Sequence, residues 1–298
     1  MWADWQTHWA LFGDSHLSAW LIAGGLSLLG ILLLGRRQVF LAAATAQSAM
    51  LALALCFWLA FTFGWAWLAG TTATTLATVL AATLAGLLGG QRQPLLNEAH
   101  SGVLFIGASS GSMLLRAHSP HGLAEVQQLL TSSLIGASRN DVWLHLGWVS
   151  TLLALWLRQQ NSWLLATFDP ACAQAQGLPV RRWHWQTVLL SGIGIALALR
   201  TTGMLYVFAC LLLPALIARP WSHSLRQLSL LTPVCAMAAS VSGSALAHWL
   251  DLPPAQLCSA WLVLWYLASS ALRRFRPDAQ FGKENTTFTR ESTWLRSR

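Results

Sequence analysis

Charged residues are scarce in this chain, and that scarcity limits the kind of protein it can be. They make up 9% of the 298 residues, and Lys283 is the single lysine. Soluble domains carry about 25% charged residues, so this chain could not cover a soluble surface of its length. Hydrophobic residues reach 55%. The composition therefore excludes a soluble protein and predicts an all-α, polytopic bundle of transmembrane helices.

Three further absences argue against other classes of protein, a secondary transporter among them. The long apolar runs contain no Asp or Glu, whereas a secondary transporter needs an ionisable coupling residue inside the membrane. The chain has no glycine-rich nucleotide-binding motif, so it cannot supply an ATPase by itself. Its five cysteines are scattered and are interpreted as small buried residues, not as a disulfide framework or a metal cluster. We therefore expect no enzymatic activity and no permanently bound cofactor.

Long apolar runs divide the chain into nine candidate spans, because about 20 apolar residues cross the hydrocarbon core of a bilayer. The count becomes eight if one pair forms a broken or re-entrant helix. We expect residues 1–18 to form a periplasmic arm, residues 19–272 the membrane domain, and residues 273–298 a basic, disordered cytoplasmic tail. The candidate spans are residues 19–35, 40–61, 65–89, 101–115, 142–157, 185–198, 204–217, 228–249 and 256–272.

The arginines follow a pattern that orients these spans. Most of them fall in alternate connections between the apolar runs, and cytoplasmic loops are the ones that are enriched in Arg. The N-terminus is therefore predicted outside and the C-terminus in the cytoplasm, with Arg116, Arg139 and Arg200 as exceptions. The net charge of +8 is attributed to contact with an anionic lipid leaflet and not with nucleic acid. The arginines that set this orientation are Arg36, Arg37, Arg92, Arg158, Arg181, Arg182, Arg219, Arg226, Arg273 and Arg274.

A short polar segment between two apolar runs contains the most defined local signal of the chain. Asp169 is a favourable N-cap, and Pro170 is favoured at the first helical position. Ala173 belongs to a small, smooth helical face, and Gly177 is suited to end the helix. Residues 169–177 are therefore predicted to form a short cytoplasmic helix. Two interpretations stay open, namely an element that docks in a groove of another protein and a simple interfacial loop.

Small residues are concentrated in three of the predicted spans, at residues 71–90, 107–112 and 236–247. Such residues let helix backbones approach closely in lipid. Dense packing within one bundle is one explanation for them. A dimer interface or a central pathway is the alternative.

The region from residue 168 to residue 219 resembles the permease subunits of bacterial zinc, manganese and iron ABC importers. The shared pattern is an Asp-Pro pair, small residues, a glycine and a basic pair, then apolar runs that end in Pro-Ala and an arginine. Weaker similarity extends over residues 18–272. The positions that carry the pattern here are Asp169, Pro170, Ala173, Gly177, Gly203, Leu205, Val207, Leu211, Leu212, Pro214, Ala215, Ala218 and Arg219.

This resemblance implies a multi-pass protein of the bacterial inner membrane that imports a metal ion or a metal chelate. It implies a homodimer of the chain, two cytoplasmic ATPase subunits that hydrolyse ATP, and a periplasmic metal-binding protein. Asp169, Pro170, Ala173 and Gly177 would form the coupling helix that contacts the ATPase. The alternative is a membrane scaffold or accessory subunit that has the fold but has lost the metal ligands.

One pair of positions departs from the family pattern. Zinc and manganese permeases carry an Asp and a His four residues apart on the second span, and the corresponding residues here are Ala43 and Gln47. Alanine cannot bind a metal, and an amide is a weak ligand for Zn²⁺ or Mn²⁺. Three explanations stay open for this departure. The cargo differs from a bare ion and is, for instance, a metal chelate; the metal ligands come from other positions in the chain; or Ala43 and Gln47 are not the true counterparts of the Asp and His. Gln47 and Arg200 are the candidates for lining the pathway, and a packing hydrogen bond is the alternative for Gln47.

Histidine and aspartate residues recur in the connections that are predicted outside. His118 and His121 flank a Ser-Pro pair, whereas Asp141 and His145 are four residues apart and share a helix face. These four residues are the candidates for an external site that collects metal beneath a binding protein. Ordinary loop polarity is the alternative for each pair.

Overall fold

A computed structural model of the protein describes residues 2–36, 38–89, 94–117 and 137–274. These residues form helices without any strand, as the composition predicts, and short 3-10 helices occur at Ala66–Ala69 and Arg219–Trp221. His118, His121 and the predicted tail beyond residue 274 lie outside the described residues. The α-helices are α1 (Trp2–Gly35), α2 (Val39–Phe63), α3 (Thr71–Gly89), α4 (Pro94–Ala117), α5 (Arg139–Phe168), α6 (Pro170–Ala175), α7 (Val180–Ala218), α8 (Leu225–Leu250) and α9 (Pro254–Arg274).

Six of the described helices are long and apolar enough to cross a membrane. They lie within α1, α2, α3, α7, α8 and α9. Two more helices, α4 and α5, contain 24 and 30 residues but carry more polar side chains. The candidate membrane spans are Phe12–Gly35, Phe40–Phe63, Thr71–Leu88, Val180–Trp221, Leu225–Leu250 and Pro254–Arg273.

Helix α5 differs from its prediction at the C-terminal end. The apolar run stops at Leu157, and the span was predicted to end there, before Arg158. The helix instead continues to Phe168, because Trp163 and Leu164 are buried against neighbouring helices. Packing, and not the local polarity of the sequence, therefore decides where this helix ends.

Helix α7 folds back on itself at Gly203. Its φ of 76° and ψ of 166° define a conformation that is essentially restricted to glycine. His184 contacts Arg36, and the carbonyl oxygen of Leu211 packs against Gly30. Along an unbroken helix His184 and Leu211 would lie ~40 Å apart, yet their two partners on α1 are only ~9 Å apart along its axis. The chain must therefore reverse its direction at Gly203.

The two halves of α7 are named α7a (residues 180–202) and α7b (residues 204–218), and they correspond to two of the predicted spans. Two hydrogen bonds fix the direction of α7b. Near its start, the hydroxyl of Tyr206 donates to the backbone oxygen of Ala19 at 3.0 Å. Near its end, Ser269 donates to the backbone oxygen of Ile217 at 3.3 Å. Together with the contact between Leu211 and Gly30, the bond of Tyr206 to Ala19 shows that α7b runs back towards the C-terminal end of α1.

Helices α1, α5 and α7a meet around one large side chain. A Cβ atom on Gly25 would lie 2.4 Å from the Trp148 ring, and a Cβ atom on Gly194 would lie 2.1 Å from it. The indole nitrogen of Trp148 donates to the carbonyl oxygen of Leu190 at 3.1 Å. Two glycines on facing helices thus create the space that this indole fills.

The clusters of small residues serve more than one purpose. In α8, the buried small residues include Ala236, Ala239 and Gly243, so dense packing within the bundle explains that cluster. In α4, by contrast, a Cβ atom on Gly107 would meet no neighbouring atom within 4 Å. Ala108 and Ser112 are buried, however, and a Cβ atom on Gly111 would lie 3.1 Å from Leu51, so packing within the bundle explains part of the α4 cluster and leaves Gly107 facing open space.

The outward surface of the bundle is apolar along several helices, as expected for contact with lipid. In α3 the exposed residues recur every fourth position, which places them on one stripe. Exposed apolar residues occur in the same manner on α8 and α9. They include Leu76, Leu80, Leu84, Leu88, Leu230, Val234, Leu264 and Leu267.

Candidate functional site

The short helix α6 begins at a cap that its own sequence supplies. The side chain of Asp169 accepts a hydrogen bond from the backbone nitrogen of Cys172 at 2.9 Å. The backbone nitrogen of Asp169 in turn donates to the oxygen of Leu165, which closes the end of α5. Pro170 occupies the first turn, where no backbone donor is needed. One residue therefore ends α5 and starts α6.

The C-terminal end of α6 is closed by a Schellman motif. Gly177 has a φ of 75°, which is the left-handed conformation that this motif requires. The backbone nitrogen of Leu178 donates to the oxygen of Ala173, and that of Gly177 donates to the oxygen of Gln174, each at 2.9 Å. The chain then turns into α7a at Val180. Helix α6 is therefore closed by hydrogen bonds at both ends although it contains only six residues.

Helix α6 buries one residue and presents the others. Ala173 is fully buried between α6 and the bundle. Ala171, Gln174 and Ala175 are exposed, so the outer surface is small and uncharged. The predicted helix, N-cap and terminal glycine are all present in the structure.

The cytoplasmic end of α1, as the arginine pattern predicts it, is held beside α6. The ring of Phe168, the last residue of α5, covers Gly35. The guanidinium of Arg36 donates from Nη1 to Nδ1 of His184 on α7a. Burial lowers the pKa of Arg36 to about 10, so this side chain is still charged at neutral pH. Sequence reasoning placed Arg36 in an exposed loop, because nothing local identifies a partner 148 positions away.

Gln47 contacts the reversal in α7. Its side-chain nitrogen donates to the sulfur of Met204 at 3.1 Å, and Met204 directly follows Gly203. Thr45 and Ser48 instead donate to backbone oxygens of their own helix. The predicted packing hydrogen bond therefore exists, but its partner is a thioether on α7b.

Ala43 lies one turn before Gln47 and is buried. A methyl group, an amide and a thioether are therefore the groups at this position of the fold. A thioether suits soft metals, whereas an amide is a weak ligand for Mn²⁺ and an alanine is none. These side chains do not form a site for a bare first-row divalent cation.

Arg200 lies at the end of α7a, before the reversal. Its Nη1 atom donates to the hydroxyl of Thr75 at 2.8 Å, and the backbone oxygen of Thr71 lies 3.5 Å from the same atom. Both partners belong to the first two turns of α3. Arg200 thus ties α7a to α3 and is at the opposite end of α7a from α6.

Asp141 and His145 lie on α5 as their spacing predicts, but their side chains have different surroundings. The carboxylate of Asp141 accepts hydrogen bonds from the backbone nitrogen and the hydroxyl of Ser138, at 2.9 and 2.8 Å, and so caps the helix. His145 is buried in the bundle. Within the part of the chain that the structure describes, no group of three or more His, Cys, Asp or Glu residues could hold a metal ion.

This arrangement of helices has counterparts among solved structures. The PsaBC complex of Streptococcus pneumoniae, solved with a Fab, contains a chain that matches with a TM-score of 0.74 and 17% identity, covering 90% of this chain and 95% of that one. A structure described as an inward-facing conformation of a metal-chelate type ABC transporter matches with a TM-score of 0.68 and 18% identity, covering 92% and 90%. At these identities the likeness establishes the fold.

A family model, the ABC 3 transport family, matches residues 10–273. The chain belongs to this family. Membership in the ABC 3 transport family confirms the resemblance that the Asp-Pro segment and the Pro-Ala-containing run indicate. It also agrees with the six apolar helices and with a location in a membrane.

Curated relatives of this ABC 3 chain are membrane proteins of transport systems. The manganese transport system membrane protein MntC of Halalkalibacterium halodurans is 28% identical over 154 residues, which is 51% of this chain and 52% of the relative. The chelated iron transport system membrane protein YfeD of Yersinia pestis is 27% identical over 128 residues, 42% of each protein. The chain spans about half the length of the curated relatives that it matches.

Proposed function

We propose that this chain is the membrane permease subunit of an ATP-driven importer of a metal ion or metal chelate. The observation that carries the proposal is α6, which is capped at both ends and presents a small uncharged surface. A membrane bundle that only packs in lipid has no use for such an element. The ABC 3 family and the names of the curated relatives support the same function.

The proposal requires partners, since the sequence contains no nucleotide-binding motif. Two copies of the chain form the pathway, two cytoplasmic ATPase subunits receive α6 from each copy, and a periplasmic protein delivers the cargo. ATP binding and hydrolysis in the partners move the permease between outward and inward states, as a rigid-body switch. The chain itself catalyses no reaction and holds no permanent cofactor.

We propose nine membrane crossings, with the N-terminus outside and the C-terminus in the cytoplasm of a bacterial inner membrane. The reversal at Gly203 supports this count, because α7a and α7b then cross separately. Contacts along α1 indicate that α7a and α7b cross in opposite directions. His184, near the start of α7a, contacts Arg36 at the C-terminal end of α1, whereas Tyr206, near the start of α7b, contacts Ala19. Helices α4 and α5 complete the set although they are less apolar than the other helices.

The side chains at the candidate pathway limit the kind of cargo that the permease can bind. Ala43, Gln47 and Met204 offer no ligand set for bare Zn²⁺ or Mn²⁺, whereas a chelate brings its own ligands. We therefore propose that the permease accepts a metal chelate, or a free ion that it does not bind tightly in the membrane. His118 and His121 are still the candidates for collecting metal outside, because Asp141 caps a helix and His145 is buried.

Reconstitution tests the proposal directly. The permease would be purified with its ATPase and binding protein and placed in liposomes. A cargo panel of Mn²⁺, Zn²⁺ and Fe²⁺, each free and as a citrate chelate, would then be offered. We expect ATP-dependent accumulation of at least one member, and failure of every member with an assembled, ATP-hydrolysing complex would contradict transport.

The second candidate is a ligand-depleted scaffold with the same fold. Ala43 favours it, since this position cannot bind metal. Such a scaffold would assemble with its partners and leave their ATPase activity independent of any cargo. Stimulation of ATP hydrolysis by the loaded binding protein would therefore exclude it.

A further inference from the structure

The C-terminal end of α1 contacts one residue that precedes α6 in the sequence, Phe168, and one that follows it, His184. Phe168 precedes α6, and its ring lies so close to Gly35 that a Cβ atom there would be 2.8 Å from Cζ. His184 follows α6 on the first turns of α7a and accepts a hydrogen bond from Arg36. Any displacement of α6 relative to the bundle therefore acts on α1 from two sides.

Helix α1 also supports α7b along most of its length. A Cβ atom on Gly30 would lie 1.8 Å from the backbone oxygen of Leu211, so the two backbones touch. Further along, the hydroxyl of Tyr206 donates to the oxygen of Ala19 and to the hydroxyl of Ser240 at 2.8 Å. A movement of α1 along its axis cannot leave α7b in place.

The contacts continue from α7b to α2. Met204 is the first residue of α7b, and its sulfur accepts the hydrogen bond from Gln47. A contiguous series of packed elements thus runs from α6 through α1 and α7b to the pathway candidate on α2. Coupling between distant sites requires such physical continuity or a shared two-state element.

The chemistry of the Arg36–His184 contact is costly for a purely structural role. Arg36 is partly buried, and among the residues that the structure describes its Nη2 atom and the Nε2 atom of His184 have no hydrogen-bond partner. Burying a guanidinium without a carboxylate costs free energy, and apolar residues of similar volume commonly stabilise a fold as well or better. An oriented hydrogen bond does what apolar packing cannot, because it fixes one position of α7a relative to α1.

We propose that Arg36 and His184 are positioning residues that transmit the movement of α6 to α1 and α7b. This inference rests on the proposed function as a coupled permease. Both residues are only partly exposed and neither belongs to α6. Loss of the pair should therefore separate ATP hydrolysis from transport and leave the complex assembled.

The test uses the full complex in liposomes and measures cargo accumulated per ATP hydrolysed, with the member of the Mn²⁺, Zn²⁺ and Fe²⁺ panel that the native complex accumulates. For Arg36→Gln and His184→Leu we expect this ratio to fall about fivefold or more, the usual lower range of coupling between sites. His184→Asn places an oxygen acceptor where Nδ1 was and should restore the ratio. Arg181→Gln removes an exposed arginine of the same helix turn and should leave the ratio native.

Each possible result either supports or overturns the role of Arg36 and His184. An unchanged ratio in Arg36→Gln and His184→Leu, with the ATPase still bound, overturns the transmission role, as does an equal loss in Arg181→Gln. If Arg36→Gln does not assemble, the comparison of His184→Leu with His184→Asn decides. Equal ratios in those two variants overturn the proposal, and a recovered ratio in His184→Asn supports it. A native complex that hydrolyses ATP but accumulates no cargo contradicts the proposed function itself.

Discussion

Helix α6 and the reversal at Gly203 are both breaks between apolar runs, but they are specified in different ways. Both ends of α6 are closed by residues of its own segment, Asp169 and Gly177. At Gly203 a single glycine permits the turn, and contacts of Gly30 and Tyr206 far away in sequence give α7b its direction. The short helix α6 is therefore encoded locally, whereas the direction of α7b depends on tertiary packing.

The largest expected effect on stability concerns the tertiary packing of the bundle around Trp148. Trp148→Ala would leave a cavity between Gly25 and Gly194, and removing a buried Trp costs about 3–5 kcal/mol. We expect a large loss of thermal stability of the purified permease in detergent. Trp143→Ala is the matched control, because Trp143 is on the same helix and 65% exposed. Equal losses in the two variants would show that Trp148 does not organise the core.

The next effect tests the reversal itself. Gly203→Ala forces a side chain into a backbone conformation that costs about 1–3 kcal/mol, so the unfolding free energy should fall by that amount. Gly147→Ala is the control, since a Cβ atom there meets open space within a regular helix. A native melting temperature for Gly203→Ala would contradict the positive φ at this position.

The smallest expected effect on stability concerns the N-cap of α6, which is encoded locally. Asp169→Ala removes an N-cap, which costs about 0.5–2 kcal/mol in helix stability, and α6 is short and peripheral. We expect faster amide hydrogen exchange in residues 170–178 and only a small change in the melting temperature. Gln174→Ala leaves both caps in place and should exchange like the native protein. Exchange that is equally fast in both variants would argue against Asp169 as the cap.

The comparison also explains what the sequence could predict. Asp169, Pro170 and Gly177 form their contacts within a few residues, so their roles were visible in the sequence. The break at Gly203 was visible as well, because the apolar stretch from residue 185 to residue 217 is long enough for two spans and was divided into residues 185–198 and 204–217. These are signals that act through the nearest backbone groups.

Other features depend on contacts that sequence reasoning could not anticipate. The end of α5 was placed too early, since a polar run that starts at Arg158 is followed by the buried Trp163. Asp141 and His145 do lie four residues apart on one helix, but the spacing did not indicate that the carboxylate would cap the helix through Ser138 or that the imidazole would be buried. The contact of Arg36 with His184 joins positions that are far apart along the chain.

The most direct measurement compares the native chain with Asp169→Arg in the reconstituted complex, recording ATP hydrolysis and cargo accumulation in the same liposomes. A large charged side chain at the start of α6 alters the surface that the ATPase would contact but lies outside the membrane core. The account predicts ATP-dependent accumulation by the native complex and loss of accumulation in the variant, at a near-native melting temperature. Native accumulation by Asp169→Arg, at an unchanged ratio to ATP hydrolysed, would contradict the role of α6 as the element through which the ATPase drives transport.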